Sequence, residues 1–362
     1  MSEPIRVLVV DDSAVVREAM KMILSPAAGF AVEVAADPII AMAKMERTRP
    51  DVMVLDLEMP RMDGDSFLQK LMNEHPLPVL ICTGITGRDS ERGLGLLAAG
   101  AVGLITKPRL GLKDFLQETE AELLEAVRGA AQAKVTRHAP AIRLPPLPAR
   151  RARVAVPGGP ERGALIAIGA SLGGTEALLT VLKDLPQTMP GIVIAQHMPE
   201  GYTAAFARRL NGLCALEVVE ASDGLAVEPG RAIIAAGDRH LVVERSSTGY
   251  RVRVVNSPRV SLHRPSVDVL FRSVAEAAGP RAVGVLLTGM GDDGARGLLE
   301  LRQAGAATLA QDEATCVVFG MPKEALARGA VEALHPLTEI GPALQLRTLA
   351  SPRRPQPTTQ PG

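Results

Sequence analysis

The chain has 362 residues, more than one hydrophobic core ordinarily spans, so two cores are expected. Lysine plus arginine and aspartate plus glutamate each number 40, a balance without the basic excess that recruits nucleic acid. Aromatic residues are 2% against 47% hydrophobic, so Ala, Val, Leu and Ile must fill the interior, as they do in parallel sheets covered by helices.

The N-terminus lacks the apolar region of a signal peptide, and no apolar run reaches membrane-spanning length. Cys82, Cys214 and Cys316 are odd in number and far apart, which fits neither a disulfide framework nor a zinc site. A cytoplasmic protein without membrane insertion is therefore expected.

In chain order, strands are predicted at 6–10, 31–35, 52–55, 79–82 and 101–106. Helices are predicted between and after them at 14–24, 38–47, 66–73, 90–99 and 112–127. Strict alternation implies a doubly wound parallel sheet, here a unit over 1–130. Residues 131–163 turn to Pro, Arg, Ala and Gly and read as a flexible basic linker. A second alternating region over 164–346 has strands at 164–168, 192–195, 232–235, 282–287 and 306–310. A β-hairpin is inserted there, at 240–244 and 250–255. Residues 347–362 read as a disordered tail.

In the first unit Asp11 and Asp12 follow the first strand and Asp56 ends the third. Carboxyl ends of neighbouring parallel strands meet in one crevice, so the three carboxylates converge and call for a cation. Mg²⁺ suits them, because it takes a few carboxylates and keeps positions for phosphoryl oxygens. Thr83 and Lys107 end the fourth and fifth strands, where a hydroxyl and an ammonium meet the same phosphoryl group. Asp56 is then the phosphoacceptor.

In the second unit Gly169-Ala-Ser171-Leu-Gly-Gly, Gln196-His197-Met-Pro and Thr288-Gly-Met-Gly-Asp-Asp293-Gly each follow a predicted strand. The same crevice rule gathers a serine, a histidine and an acid, the set that acyl transfer needs. Glycines around Ser171 permit a sharp strand-to-helix turn with free N–H groups, and Met290 sits in a second such turn. Spacing leaves Asp292 and Asp293 both open as the acid. The chain order Ser, His, Asp differs from that of the α/β-hydrolases, and serine replaces the glycine that dinucleotides need at this position. His75, His138, His240, His263 and His335 show no ligand spacing and read as structural.

Residues Val9-Val-Asp-Asp-Ser, Asp56-Leu-Glu-Met-Pro-Arg-Met-Asp-Gly and Thr106-Lys-Pro resemble the receiver domains of two-component signalling. The resemblance implies phosphorylation of Asp56 by a histidine kinase, and often a cis Lys107–Pro108 bond. Leu104 stands where many receivers carry a switching aromatic. The three motifs of the second unit resemble the chemotaxis protein-glutamate methylesterases, the CheB family. So do Tyr202-Thr-Ala-Ala-Phe-Ala-Arg-Arg-Leu-Asn, Arg264-Pro-Ser-Val-Asp-Val-Leu-Phe and Gln311-Asp-Glu-Ala-Thr-Cys-Val-Val-Phe-Gly-Met-Pro-Lys-Glu-Ala. That resemblance implies a triad of Ser171, His197 and Asp293, with oxyanion contacts from the backbone of Met290 and Leu172. Leu172 replaces the threonine usual after the nucleophile. It further implies ester hydrolysis without a cofactor, methyl-accepting chemotaxis receptors as substrates, a chemotaxis histidine kinase as phosphodonor, and deamidation of receptor glutamines. Two rivals remain: a related regulator of a non-chemotactic pathway, and a non-catalytic regulator that acts by binding a partner.

Overall fold

A computed structural model describes residues 3–26, 29–57, 59, 64–84, 90–107, 113–135 and 163–349. The first unit runs β1 (Ile5–Val10), α1 (Ala14–Leu24), β2 (Phe30–Ala35), α2 (Pro38–Arg47), β3 (Val52–Asp56) and α3 (Gly64–Glu74). It continues with β4 (Val79–Thr83), α4 (Ser90–Ala98), β5 (Gly103–Thr106) and α5 (Lys113–Ala131). Its five strands are parallel in the order β2-β1-β3-β4-β5. Helix starts follow local chemistry: Ser13 caps α1 by accepting from Val16 N–H, and Asp37 caps α2 ahead of Pro38.

The second unit opens with β6 (Leu165–Ala170), α6 (Gly174–Leu182), β7 (Gly191–Gln196), α7 (Thr203–Leu213) and β8 (Glu217–Glu220). Then come β9 (Ala226–Val227), β10 (Arg231–Ile234), β11 (His240–Ser246), β12 (Gly249–Val255), α8 (Val267–Ala278) and β13 (Ala282–Leu286). It ends with α9 (Ala295–Gln303), β14 (Ala307–Gln311), α10 (Met321–Ala327), β15 (Ala333–His335) and α11 (Leu337–Leu349). The central sheet is parallel throughout in the order β15-β14-β13-β6-β7-β10-β8. β6, β7 and β13 are buried along their whole length, as strands covered on both faces must be. The predicted hairpin is present as β11–β12, joined by Ser247-Thr248 and widened by β9 into a three-stranded antiparallel sheet. β8, β9 and β15, all short, were not predicted.

The order reverses at β6, which lies between β7 and β13. The chain departs from β6 in one direction first and in the other later, which opens a crevice beyond the carboxyl ends of these strands.

The α5 helix ends at Ala131, and the next residues lie along the second unit. Lys134 N–H donates to the Val317 carbonyl at 2.9 Å, and its Nζ donates to the Glu313 carbonyl at 2.8 Å. Residues 136–162 of the expected linker are outside the described residues. Helix α11 extends to Leu349, three residues into the stretch expected to be disordered, because Leu344 and Ile340 anchor it in the core. The rest of that tail and the Lys107–Pro108 peptide also lie outside the described residues. Among the described residues no helix is long and apolar enough to cross a membrane.

The two units share apolar packing: Leu94 and Leu97 of α4 join the cluster that holds Leu178, Met198 and Tyr202, and Leu172 joins the one built on α5 and the first sheet. Two glycines allow this approach. A Cβ on Gly103 would stand 2.5 Å from Leu172 Cδ2, and one on Gly129 would stand 2.6 Å from Met290 Cβ.

Candidate active site and phosphoacceptor site

The first crevice holds Asp11, Asp12 and Asp56, with one carboxylate oxygen from each lying within 4.8 Å of the others. Asp11 and Asp56 are buried at 1%, and Asp12 is exposed. Lys107 Nζ sits 2.8 Å from Asp56 Oδ1 and 3.5 Å from Asp11 Oδ2. Burial, then the charge of Asp56, push the Asp11 carboxyl up to about 6 despite Lys107. Asp11 Oδ2 has no hydrogen-bond partner among the described residues. An orphaned buried carboxylate oxygen inside a cluster of three acids is a donor set that fits a metal ion.

Thr83 is buried at the same rim, and its hydroxyl faces two ways. It donates to the Gly84 carbonyl at 3.0 Å, and the Tyr202 hydroxyl meets it at 2.5 Å. Tyr202 belongs to the second unit, immediately before α7, and is 1% exposed.

In the second crevice Ser171 follows β6, His197 follows β7 and Asp293 follows β13. The Ser171 hydroxyl lies 3.1 Å from His197 Nδ1, and His197 Nε2 lies 2.8 Å from Asp293 Oδ2. The nitrogens are used in the reverse sense to the familiar protease triad. Either ring nitrogen can act as base when the other carries its proton towards a carboxylate.

Asp293 is anchored from a third direction. Ser266 Oγ donates to Oδ1 at 2.7 Å, Asp268 N–H to Oδ1 at 3.0 Å and Val267 N–H to Oδ2 at 2.7 Å. These groups are the start of α8, whose positive end favours a carboxylate. Burial alone would raise the Asp293 pKa, but the His197 bond and charge and the Asp268 N–H hold it below the ordinary value. His240 supports the anchor, accepting from Ser266 N–H at Nδ1 and donating from Nε2 to the Pro258 carbonyl. Asp292, the competing acid, points away and pairs with Arg328 Nη2 at 2.6 Å.

Two turns face the Ser171 hydroxyl. Gly173, at φ 74°, bends the chain from Ser171 into α6. Gly291, at φ 83°, follows Met290 in the turn after β13. Neither Leu172 N–H nor Met290 N–H has an acceptor among the described residues. The loop 312–320, ending at α10 with Pro322 in its first turn, walls the same side: Gly289 pairs with Phe319, and Thr288 Oγ1 bonds the backbone of Val318.

The first unit covers this crevice. A cavity of about 70 Å³ is lined by Leu104, Ile105 and Glu125 on one side and by Ser171, His197 and Met290 on the other. Gly173 N–H donates to the Val102 carbonyl of the first unit at 2.9 Å. Glu122 meets Arg259 at 2.8 Å, and Glu125 stands 3.7 Å from His263 Nε2. Burial raises the Glu125 carboxyl above its ordinary range, with the His197 charge opposing.

All the site residues expected from sequence therefore fall into two clusters. Sequence reasoning passed over Tyr202, Ser266, Glu125 and His263. Tyr202 and Ser266 lie inside quoted motifs but carry no spacing signal, and His263 was read as structural.

Profiles of known families match both halves: the response regulator receiver domain over 7–119 and the CheB methylesterase over 166–344. Over 340 residues the chain is 54% identical to a protein-glutamate methylesterase/protein-glutamine glutaminase 2 of Xanthomonas campestris, covering 91% of this chain and 97% of that protein. A protein-glutamate methylesterase/protein-glutamine glutaminase 1 of Anaeromyxobacter dehalogenans is 53% identical over 345 residues, covering 94% and 98%. The crystal structure of the Thermotoga maritima CheB methylesterase catalytic domain is 37% identical, with a TM-score of 0.49, and covers 50% of this chain and 97% of that one. On this identity, sustained over nearly all its length, the chain belongs to the CheB methylesterase family, in the form that carries a receiver domain.

Proposed function

We propose that the chain is a phosphorylation-controlled protein-glutamate methylesterase in which Ser171 is the nucleophile, His197 the base and Asp293 the acid that orients it. The observation that carries this reading is the continuous hydrogen-bond chain from the Ser171 hydroxyl through His197 to a carboxylate held by the start of α8. Ser171 Oγ attacks the γ-carbonyl of a methylated receptor glutamate while His197 Nδ1 takes its proton. Leu172 and Met290 N–H groups receive the developing oxyanion, each donor contributing about 3 kcal/mol to barrier lowering. His197 then protonates the departing methanol. Water deacylates Ser171 by the same route and leaves glutamate. A receptor glutamine would pass through the same acyl-enzyme with ammonia as leaving group.

The working units are residues 1–130 as receiver and 164–346 as esterase, joined by 131–163 and followed by a tail from 347, in a cytoplasmic protein. A chemotaxis histidine kinase is the phosphodonor and methyl-accepting chemotaxis receptors are the substrates. In the receiver, Asp11, Asp12 and Asp56 would hold Mg²⁺, which when bound neutralises phosphoryl oxygens. Asp56 accepts the phosphoryl group, and Lys107 and Thr83 bind its oxygens. The single proton of the Thr83 hydroxyl goes to the Gly84 carbonyl, and a phosphoryl oxygen on Asp56 would compete for it; a shift of Thr83 towards that oxygen would loosen the Tyr202 contact that helps to cover the esterase.

Two substitutions test this reading. Ser171→Ala should lower methanol release from methylated receptor by on the order of 10⁶-fold with the fold intact; hydrolysis that survives refutes the nucleophile. Asp56→Asn should remove all stimulation by a small-molecule phosphodonor, and stimulation that persists moves the phosphosite elsewhere.

A further inference from the structure

The imidazole of His263 lies flat on that of His197, with ring centroids 3.7 Å apart and planes inclined by 18°. The segment that delivers it is a tight turn closed on itself: Val260 N–H donates to the His263 carbonyl, and His263 N–H donates back to Val260. Its two central residues, Ser261 at φ 50° and Leu262 at φ 68°, are both left-handed, a conformation this turn type ordinarily gives to Asn and Gly. Two consecutive side-chain-bearing residues in that region are strained, and such strain persists where the surroundings fix one placement.

We infer that His263 is a positioning residue for the reaction proposed above, and that its strained turn serves to press a flat ring against the catalytic base. The need follows from the His197 geometry. A half-turn of that ring about its Cβ–Cγ bond would present carbon, not nitrogen, to both Ser171 and Asp293. The Ser171 bond is surrendered during each turnover, which leaves only the Asp293 bond to resist rotation. A ring stacked face to face restricts the imidazole to motion in its own plane, the motion that carries its proton from Ser171 to the leaving group.

The stacking ring must also tolerate a positive neighbour. Burial, then the His197 charge, hold the His263 pKa well below the ordinary histidine value, with Asp293 opposing and Arg259 adding. A neutral ring therefore meets the imidazolium, and its π face attracts that charge where a second cation would repel it. Arg259 and Glu125 edge the same turn, Arg259 Nη1 donating to the Leu262 carbonyl at 3.2 Å.

The test compares His263→Phe, His263→Leu and His263→Ala in the full-length chain with phosphodonor present. Methanol release from methylated receptor gives kcat and KM, and thermal unfolding checks each fold. Phe should stay within about threefold of wild-type kcat. Leu and Ala should lose about tenfold or more in kcat with KM within about twofold, because flatness rather than bulk is what His197 uses. A Leu variant as fast as Phe, or a folded Phe variant as slow as Leu, overturns the proposal. Should alanine fail to fold, the Phe and Leu pair still decides. The labelling rate of Ser171 by a fluorophosphonate reads the same nucleophile–base pair without any glutamyl ester. Labelling in that rank order without wild-type methanol release would refute the substrate and support the positioning role; equal labelling of all three variants refutes the role itself.

Discussion

Replacing Tyr202 by phenylalanine removes a single hydroxyl from the contact between receiver and esterase. The ring would keep its place: it is 1% exposed and packs so closely on α4 that a Cβ on Gly93 would lie 2.7 Å from its Cε1. Thr83 would keep its bond to Gly84. Among the described residues the loss at Thr83 is one neutral hydrogen bond, about 1 kcal/mol net. If the covered arrangement predominates before phosphorylation, that energy raises the uncovered fraction about fivefold, since about 1.4 kcal/mol is a factor of ten. Basal methanol release by the unphosphorylated chain should rise about fivefold. The rate at saturating phosphodonor should not change, so the stimulation ratio falls by the same factor. Initial rates on methylated receptor, with Asp56→Asn as the unphosphorylated control, measure both. A basal rate within twofold of wild type would show that the Thr83–Tyr202 bond does not weigh on the equilibrium.

Three further outcomes are expected. Asp293→Asn should lower kcat by about 10⁴-fold through the wrong His197 tautomer, whereas Asp292→Asn, which gives up only a partly exposed pair with Arg328, should stay within twofold; equal effects in the same kinetic assay would undo the assignment. Gly129→Leu should drive a side chain into Met290 and give high basal activity that phosphodonor no longer raises, and a normally repressed variant would show that the interface is not closely packed there. Because burial lifts the Asp11 carboxyl to about 6, that group binds a proton more tightly folded than unfolded. Its contribution to stability is present at pH below about 4 and is lost as pH rises through 6. Mg²⁺ requires the deprotonated form, so its stabilising effect on thermal unfolding should be large at pH 8 and weak at pH 5. An equal shift at both values would contradict the site.

Much of this architecture was legible because parallel sheets write themselves plainly. β3, β4, β6, β7 and β13 are unbroken aliphatic runs, each followed within a few residues by the side chain it carries into a crevice. That placement rule alone was enough to collect Ser171 with His197. It could not choose between Asp292 and Asp293, because the choice depends on where α8 begins. Ser266, Val267 and Asp268 supply the donors that turn one carboxylate inward, and Arg328, just after α10, draws the other out. The short strands β8, β9 and β15 escaped notice because they are two to four residues long and Val218 alone among their residues is buried, which leaves no aliphatic run to read. His263 escaped because nothing in local spacing announces a stacking partner.

The absent side chains at 103 and 129 have a consequence for recognition. A receiver with a side chain at 129 would press on Met290 Cβ and Cγ at 2.6 Å, atoms less free to swing aside than the Leu172 methyl group opposite 103. Shape at that point would thus disfavour a receiver of the same fold that lacks a glycine there. Fidelity of that kind adds to the Glu122–Arg259 pair and the Gly173–Val102 bond across the same seam, and it resides in what a glycine leaves out.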